Sequence, residues 1–226
     1  MENPFESGLD ALRQKLLLMA SRAETAVNES VQALMQRDHD LALRVKADDD
    51  VIDQYEREID EMAIQLLTRA PLATNLRLVA VAMKISQNLE RIGDEATKIA
   101  KRARDLSQEP PVKINLDLTR MASLSLDMVK DALDSFVHRD SVAARAIIPR
   151  DKEVDALNLQ LHDLLAQHMM TNPDTIARCL HWIVATKSLE RIADHAKNIA
   201  EEVVYLCEAQ DIRHPGIKIQ ASTSAA

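Results

Sequence analysis

Acidic residues recur at helical spacing along two segments of the chain, and two further segments about 100 residues later repeat them. Residues three or four apart lie on one face of a helix, so each segment presents a stripe of carboxylates. Carboxylate oxygens bind hard cations such as Mg²⁺, Mn²⁺ and Ca²⁺, and bridging carboxylates suit iron clusters. The predicted metal ligands are Asp49, Asp53, Glu90 and Asp94 in the first set and Asp151, Asp155, Glu190 and Asp194 in the second.

The acids of the first set reach the same height in an antiparallel hairpin. If the chain turns near residues 70–71, Asp53 lies about 17 residues before the turn and Glu90 about 19 residues after it. Asp49 and Asp94 lie about 21 residues before and about 23 residues after the same turn. At ~1.5 Å per residue, each pair differs in height by about 3 Å. Heptad positions place all four on one flank, so we expect a cluster that opens at a surface groove. The second set repeats this geometry.

Such a cluster needs compensation, because two like charges ~4 Å apart repel by about 4 kcal/mol at an effective dielectric constant near 20. Protons, neighbouring Arg and Lys, or a multivalent cation can supply it. Acids at this spacing are also common as solvated surface residues, but two copies favour metal binding. Arg91 and Arg191 are interpreted as charge partners, and His162 and His195 as peripheral to the second site. Trp182 is predicted to pack in the core.

The composition predicts an all-α protein. The 226 residues include only 3 Gly and 7 Pro, and aromatic residues make up 2%, which leaves little for hairpin turns and strands. The net charge of −8 and pI near 5.4 argue against general attraction to nucleic acid or anionic membranes. Cys179 and Cys207 are expected to be reduced thiols. The amino terminus lacks the pattern of a secretory signal and no run is long enough to span a membrane, so we expect a cytoplasmic protein.

Apolar seams divide the chain into six helices in two similar halves. In the first half, Asp38 is expected to cap the second helix, and Pro71 to occupy the first turn of the third. The segment around Gln36 matches that around His138 at an offset of 102 residues, and two Leu-Glu-Arg-Ile motifs match at an offset of 100. Pro149 predicts a kink or a late helix start in the second half.

The proline pair in Ser-Gln-Glu-Pro-Pro-Val-Lys marks the predicted domain boundary. We predict two tandem three-helix bundles with antiparallel, coiled-coil-like helices, one in residues 1–109 and the other in residues 110–213. Residues 214–226 lack a periodic pattern and are expected to be disordered.

These features together resemble the PhoU family of phosphate-uptake regulators. The resemblance covers residues from about 9 to about 206 and is carried by two copies of Glu-Arg-Ile-(Gly/Ala)-Asp, each with paired acids on the preceding helix. It is most specific in the stretches RAPLATNLRLVAVAMKISQNLERIGDEATKIAKRA and SLERIADHAKNIAEE.

The resemblance implies a non-enzymatic, cytoplasmic accessory protein of phosphate transport that represses the phosphate-starvation response. It implies contact with the ATPase subunit of the phosphate ABC transporter and with a phosphate-sensing histidine kinase, and a homodimer. It also implies multinuclear metal clusters, of iron, zinc, manganese or magnesium, at the eight acids given above. Lys98 and Lys101 replace polar or acidic residues of the second copy, so the first cluster is expected to be the weaker one.

Two alternatives share the fold. A metal-free helical scaffold differs only in what compensates the acids. A carboxylate-bridged di-iron enzyme needs Glu-x-x-His on two helices, and no His here has Glu three residues before it.

Overall fold

The structure is a computed structural model, and it describes residues 4–68, 73–114 and 116–213. This part of the chain is all-α, as predicted, and contains no strand. The expectations for Pro71 and for residues 214–226 lie outside it. The helices are α1 (Pro4–Gln36), α2 (His39–Leu67), α3 (Ala73–Ser107), α4 (Leu118–His138), α5 (Ser141–Ile147), α6 (Asp151–Thr171) and α7 (Ile176–Glu208), with short 3-10 segments at Ile148–Arg150 and Pro173–Thr175.

The first bundle consists of α1, α2 and α3, and its core follows the seams that the sequence predicts. Ile52 and Ile59 of α2 and Leu89 of α3 are fully or almost fully buried. Asp38 caps α2 as expected, because its Oδ1 accepts a hydrogen bond from the Leu41 amide at 2.9 Å. The cap fixes where α2 begins, and the seam fixes which face it turns towards α3.

The second bundle consists of α4, the α5–α6 pair and α7. Its middle helix is interrupted by the 3-10 segment Ile148–Arg150, whereas the corresponding α2 of the first bundle is continuous. Pro149 lacks an amide hydrogen and cannot complete an α-helical hydrogen bond, which explains the break. Of the two expected outcomes, a kink or a late helix start, the structure shows the late start, because α6 begins at Asp151 directly after the 3-10 segment.

Helices α3 and α7 pack against each other in antiparallel fashion and join the two bundles. Lys84 near the start of α3 bonds Glu202 near the end of α7, with Nζ and Oε2 3.0 Å apart. At the opposite end, Arg102 Nη1 lies 3.4 Å from His181 Nδ1. Each bundle thus contributes its third helix to the contact. None of the described helices carries an apolar stretch long enough to cross a bilayer.

Candidate metal sites

The structure brings Asp49, Asp53, Glu90 and Asp94 together between α2 and α3, and we call this group the first acidic cluster. The charges of Asp53 and Asp94 act on Asp49, and those of Asp94 and Asp53 act on Glu90. Asp53 is exposed and the other three are half-buried. Glu56, one turn after Asp53, also faces Glu90. The cluster therefore lies beside the core and opens to solvent.

In the first cluster, the pKa of Glu90 is raised well above its ordinary value. Burial, followed by the charge of Asp94, raises the pKa of Glu90 from 4.5 to about 7. Burial, followed by the charges of Asp53 and Asp94, likewise raises the pKa of Asp49. Arg91 offers partial compensation, since its Nη1 lies 3.1 Å from Asp94 Oδ2 and its Nε lies 3.2 Å from Glu90 Oε2. Near neutral pH, Glu90 is therefore close to the midpoint of its ionisation.

The second acidic cluster consists of Asp151, Asp155, Glu190 and Asp194, between α6 and α7. Asp151 and Glu190 are buried, and Asp155 and Asp194 are half-buried, so this cluster is less open than the first. Burial, followed by the charges of Asp151 and Glu190, raises the pKa of both Asp155 and Asp194. The repeated motif therefore produces two clusters of four carboxylates, at equivalent positions in the two halves of the chain.

Two lysines of α7 that the sequence reasoning missed lie against the second cluster. Lys187 Nζ donates to Glu190 Oε1 at 2.6 Å, and Lys197 Nζ donates to Asp151 Oδ2 at 2.7 Å. A signal was present, because positions 187, 190, 194 and 197 follow three- and four-residue spacing and share one face of a helix. Their side chains meet the same acids for that reason.

Other residues singled out from the sequence lie away from the carboxylates. His195 Nδ1 is 3.0 Å from Asn88 Oδ1 and faces the other bundle, while His162 Nε2 is 3.0 Å from Thr186 Oγ1. Trp182 is partly buried and packs against the core.

The expected weakness of the first cluster rested on Lys98 and Lys101, and the structure removes that reason. Lys98 Nζ donates to Glu95 Oε1 at 2.8 Å, on the side of α3 that faces α7, and Lys101 is exposed. The lysines that do contact clustered acids belong to the second copy.

Several buried oxygens at the clusters have unused hydrogen-bonding capacity. Among the described residues, Asp151 Oδ1 is buried and accepts no hydrogen bond. Glu90 Oε2 and Glu190 Oε2 are also buried, and each has one ion-pair contact, to Arg91 Nε at 3.2 Å and to Lys187 Nζ at 2.5 Å. The buried hydroxyl of Thr97 lies beside Asp49, and its interaction with that carboxylate partly offsets the rise in the pKa of Asp49. Oxygen donors of this kind match the preference of hard cations, so the residues present fit such an ion. Within residues 4–68, 73–114 and 116–213, no three Asp, Glu, His or Cys side chains already stand in a metal-holding arrangement.

Comparison with known proteins places the two halves in one family model. The model described as "PhoU domain" matches twice, at residues 16–103 and 118–203. A curated relative from Pseudomonas putida, named phosphate-specific transport system accessory protein PhoU homolog, is 41% identical over 216 residues, which is 95% of this chain and 84% of the relative.

Two crystal structures resemble this fold along nearly their full length. PhoU from Pseudomonas aeruginosa superposes with a TM-score of 0.88 at 40% identity and covers 91% of this chain and 100% of its own. The phosphate transport system regulatory protein PhoU from Streptococcus pneumoniae gives a TM-score of 0.83 at 26% identity, with 93% and 100% covered. Sequence and structure comparisons therefore agree on the same family.

Proposed function

The chain belongs to the PhoU family, and from this premise we propose that it is a non-enzymatic, metal-binding regulator of phosphate uptake and a repressor of the phosphate-starvation response. Its relatives are named as accessory proteins of phosphate-specific transport. An accessory protein acts through contacts with the transport machinery, and long helices supply extended surfaces for them. We propose that it works in the cytoplasm, as an adaptor between the ATPase subunit of a phosphate ABC transporter and a phosphate-sensing histidine kinase, and as a homodimer.

One observation carries the metal-binding part of the proposal. The four carboxylates of the first acidic cluster and the adjacent Glu56 lie around the guanidinium of Arg91, and Arg57 adds a further positive charge beside Glu56. Asp49, Asp53, Glu90 and Asp94 would hold the ion, and Asp151, Asp155, Glu190 and Asp194 are the equivalent residues of the second cluster. A multinuclear group of iron, zinc, manganese or magnesium would supply positive charge between α2 and α3. The protein's own residues would position the ion and hold the two helices at a fixed distance.

Gene deletion tests the regulatory role. In phosphate-rich medium, loss of the gene is expected to switch on the phosphate-starvation transcripts, and the wild-type gene is expected to silence them again. Unchanged transcripts and unchanged phosphate uptake in the deletion strain would overturn the regulator proposal. A variant with Asp53→Asn and Glu90→Gln tests whether the first cluster takes part, because both changes keep side-chain size while removing charge. Glu61→Gln, an exposed acid on the same helix α2, is the matched control.

Metal content tests the cluster separately from regulation. Purified wild-type protein is expected to retain metal through gel filtration, and the Asp53→Asn/Glu90→Gln variant is expected to retain less. Equal and negligible metal in both would favour the metal-free scaffold, in which protons and basic side chains compensate the acids. One observation favours that second candidate locally, since Lys187 and Lys197 already contact the second cluster.

A further inference from the structure

The two acidic clusters differ in the cations that lie against them. In α7, Lys187 and Lys197 each place an ammonium group on a clustered carboxylate, at 2.6 Å and 2.7 Å. The corresponding positions of α3 are Gln87 and Thr97, which carry no charge. The second cluster therefore has two built-in cations that the first cluster lacks.

The number of acids also differs between the two copies, and here the first copy has more. Glu56 faces Glu90 in the first cluster, whereas its counterpart in the second copy is Asn158, a neutral and buried residue. The four carboxylates of the first cluster and the adjacent Glu56 thus face the guanidinium of Arg91, and the charge of Arg57 also acts on Glu56. Four carboxylates of the second face two ammonium groups.

The second-copy arginine does not restore the balance, because it points elsewhere. Arg191 is the counterpart of Arg91, yet its Nη1 lies 3.4 Å from Glu95 on the other bundle. Arg91 itself stays with Glu90 and Asp94. Each cluster is therefore compensated by different groups, although the motif around it is repeated.

The burial of the acids is consistent with these different charge partners. Asp151 is 5% exposed and Glu190 is 9% exposed, so both need a permanent partner within the fold. The hydrogen bond from Lys197 Nζ to Asp151 Oδ2, at 2.7 Å, supplies such a partner. In the first cluster Asp53 is exposed, and solvent ions can reach the carboxylates.

We propose that the first acidic cluster is the site that takes up a multivalent cation, whereas Lys187 and Lys197 neutralise the second cluster and make it independent of metal. This inference rests on the proposed metal-binding function and specifies which half performs it. A divalent ion at the second cluster would be repelled by two ammonium groups, which already contact both oxygens of Glu190 and Oδ2 of Asp151. Asp151 Oδ1 is a buried oxygen of this cluster that stays without a hydrogen bond. We expect the first cluster to bind Mn²⁺ on the order of tenfold more tightly or better.

Exchanging the lysines between the halves tests the proposal in the full chain. One variant carries Lys187→Gln and Lys197→Thr, and the reciprocal variant carries Gln87→Lys and Thr97→Lys. After treatment with a chelator, Mn²⁺ binding is measured by calorimetry. The first exchange is expected to add a second class of tight sites, and the reciprocal exchange is expected to weaken the original sites tenfold or more.

Neutralising each cluster in turn provides the matched comparison. Asp53→Asn with Glu90→Gln is expected to abolish tight Mn²⁺ binding, whereas Asp155→Asn with Glu190→Gln is expected to leave it unchanged. Equal losses in the two variants would overturn the proposal, and so would tight binding that only the second variant loses.

Stability in the presence of chelator gives a readout without metal. The Lys187→Gln/Lys197→Thr variant is expected to unfold at lower urea concentration than wild type, with Lys152→Gln, an exposed lysine of α6, as control. If the exchange is no more destabilising than the control, the role of the lysines is wrong. If wild type binds no Mn²⁺ while the exchange is destabilising, the proposed metal function and the first-cluster part of the inference fail, and the lysine part stands.

Discussion

Arg191 of α7 donates to Glu95 of α3, with Nη1 and Oε1 3.4 Å apart, and the contact crosses from one bundle to the other. Glu95 directly follows Asp94 of the first cluster, and Arg191 directly follows Glu190 of the second. The same Glu95 oxygen also accepts a bond from Lys98 at 2.8 Å. Two peptide links and one side-chain contact thus connect Asp94 of the first cluster to Glu190 of the second through the buried carboxylate of Glu95.

Arg191→Ala is expected to destabilise the protein. Glu95 is 4% exposed, and loss of Arg191 leaves this buried carboxylate with one partner fewer. We expect the free energy of unfolding to fall by about 1 to 2 kcal/mol. Urea unfolding followed by Trp182 fluorescence measures it, and Arg13→Ala, which breaks the exposed pair with Asp10, should cost less than about 0.5 kcal/mol. Equal costs for the two variants would contradict a structural role for the crossing pair.

Stability without metal is expected to fall as the pH rises towards neutrality. Glu90 binds its proton more tightly in the folded state, where its pKa is about 7, than in the unfolded state, where it is 4.5. Its contribution is therefore most favourable below about pH 4.5, decreases as it ionises, and levels off above about pH 7. The full shift corresponds to at most ~3 kcal/mol, which solvent screening of a half-buried group reduces to about 1 kcal/mol.

Denaturation midpoints at pH 5 and pH 8 in chelator measure this effect, and Glu90→Gln should flatten the difference. Glu58→Gln is the control, because hydrogen bonds from Lys15 and Gln54 lower the pKa of Glu58. That group contributes with the opposite sign, and its contribution is lost as the pH falls. A slope that survives Glu90→Gln unchanged would exclude Glu90 as its source.

Metal uptake at the first cluster is expected to release protons. Glu90 is about half protonated near pH 7, and an ion that binds its oxygens displaces the proton. Mn²⁺ affinity should therefore rise between pH 6 and pH 8. Calorimetry in two buffers with different ionisation enthalpies counts the protons released, and Glu90→Gln should reduce that count. Affinity that does not vary with pH would show that Glu90 is not a ligand.

Gly93 lets α2 and α3 approach closely beside the first cluster. A Cβ at this position would lie 2.9 Å from Ile52 Cδ1 and 3.4 Å from Asp49 Oδ1. Gly93→Ala gains about 0.5 to 1 kcal/mol of helix propensity against a clash with a flexible side-chain end, so we expect a nearly neutral change. Gly93→Leu cannot be accommodated and should cost about 2 kcal/mol or more. Urea unfolding and Mn²⁺ binding measure both, and a stable Gly93→Leu variant with normal Mn²⁺ affinity would contradict the close approach.

The architecture within each half was predictable because heptad seams and caps are local signals. Ile52, Ile59 and Leu89 are buried as their spacing requires, and Asp38 caps α2. The grouping of the acids also followed from local information, because counting residues outward from a hairpin turn gives their heights. Pro149 predicted the break before α6, because the effect of a proline on a helix is also local.

The charge environment of the clusters was not predictable to the same degree. Arg91 and Arg191 occupy equivalent positions but bind different partners, because only the packing of α3 on α7 brings Glu95 within reach of Arg191. Lys98 was assigned to the wrong environment for this reason. Heptad positions within one bundle do not determine how two bundles meet, and long Lys and Arg side chains can turn to either of two helices.

Because two similar bundles pack through their third helices, α3 and α7, in antiparallel fashion, this single chain resembles a dimer of two identical subunits related by a two-fold axis. In a dimer of identical subunits, every substitution appears in both copies, so the two sites must change together. Covalent fusion of the copies removes that constraint. One half can then carry lysines where the other carries neutral residues, and an asparagine where the other carries a glutamate, so a repeated fold acquires two inequivalent halves.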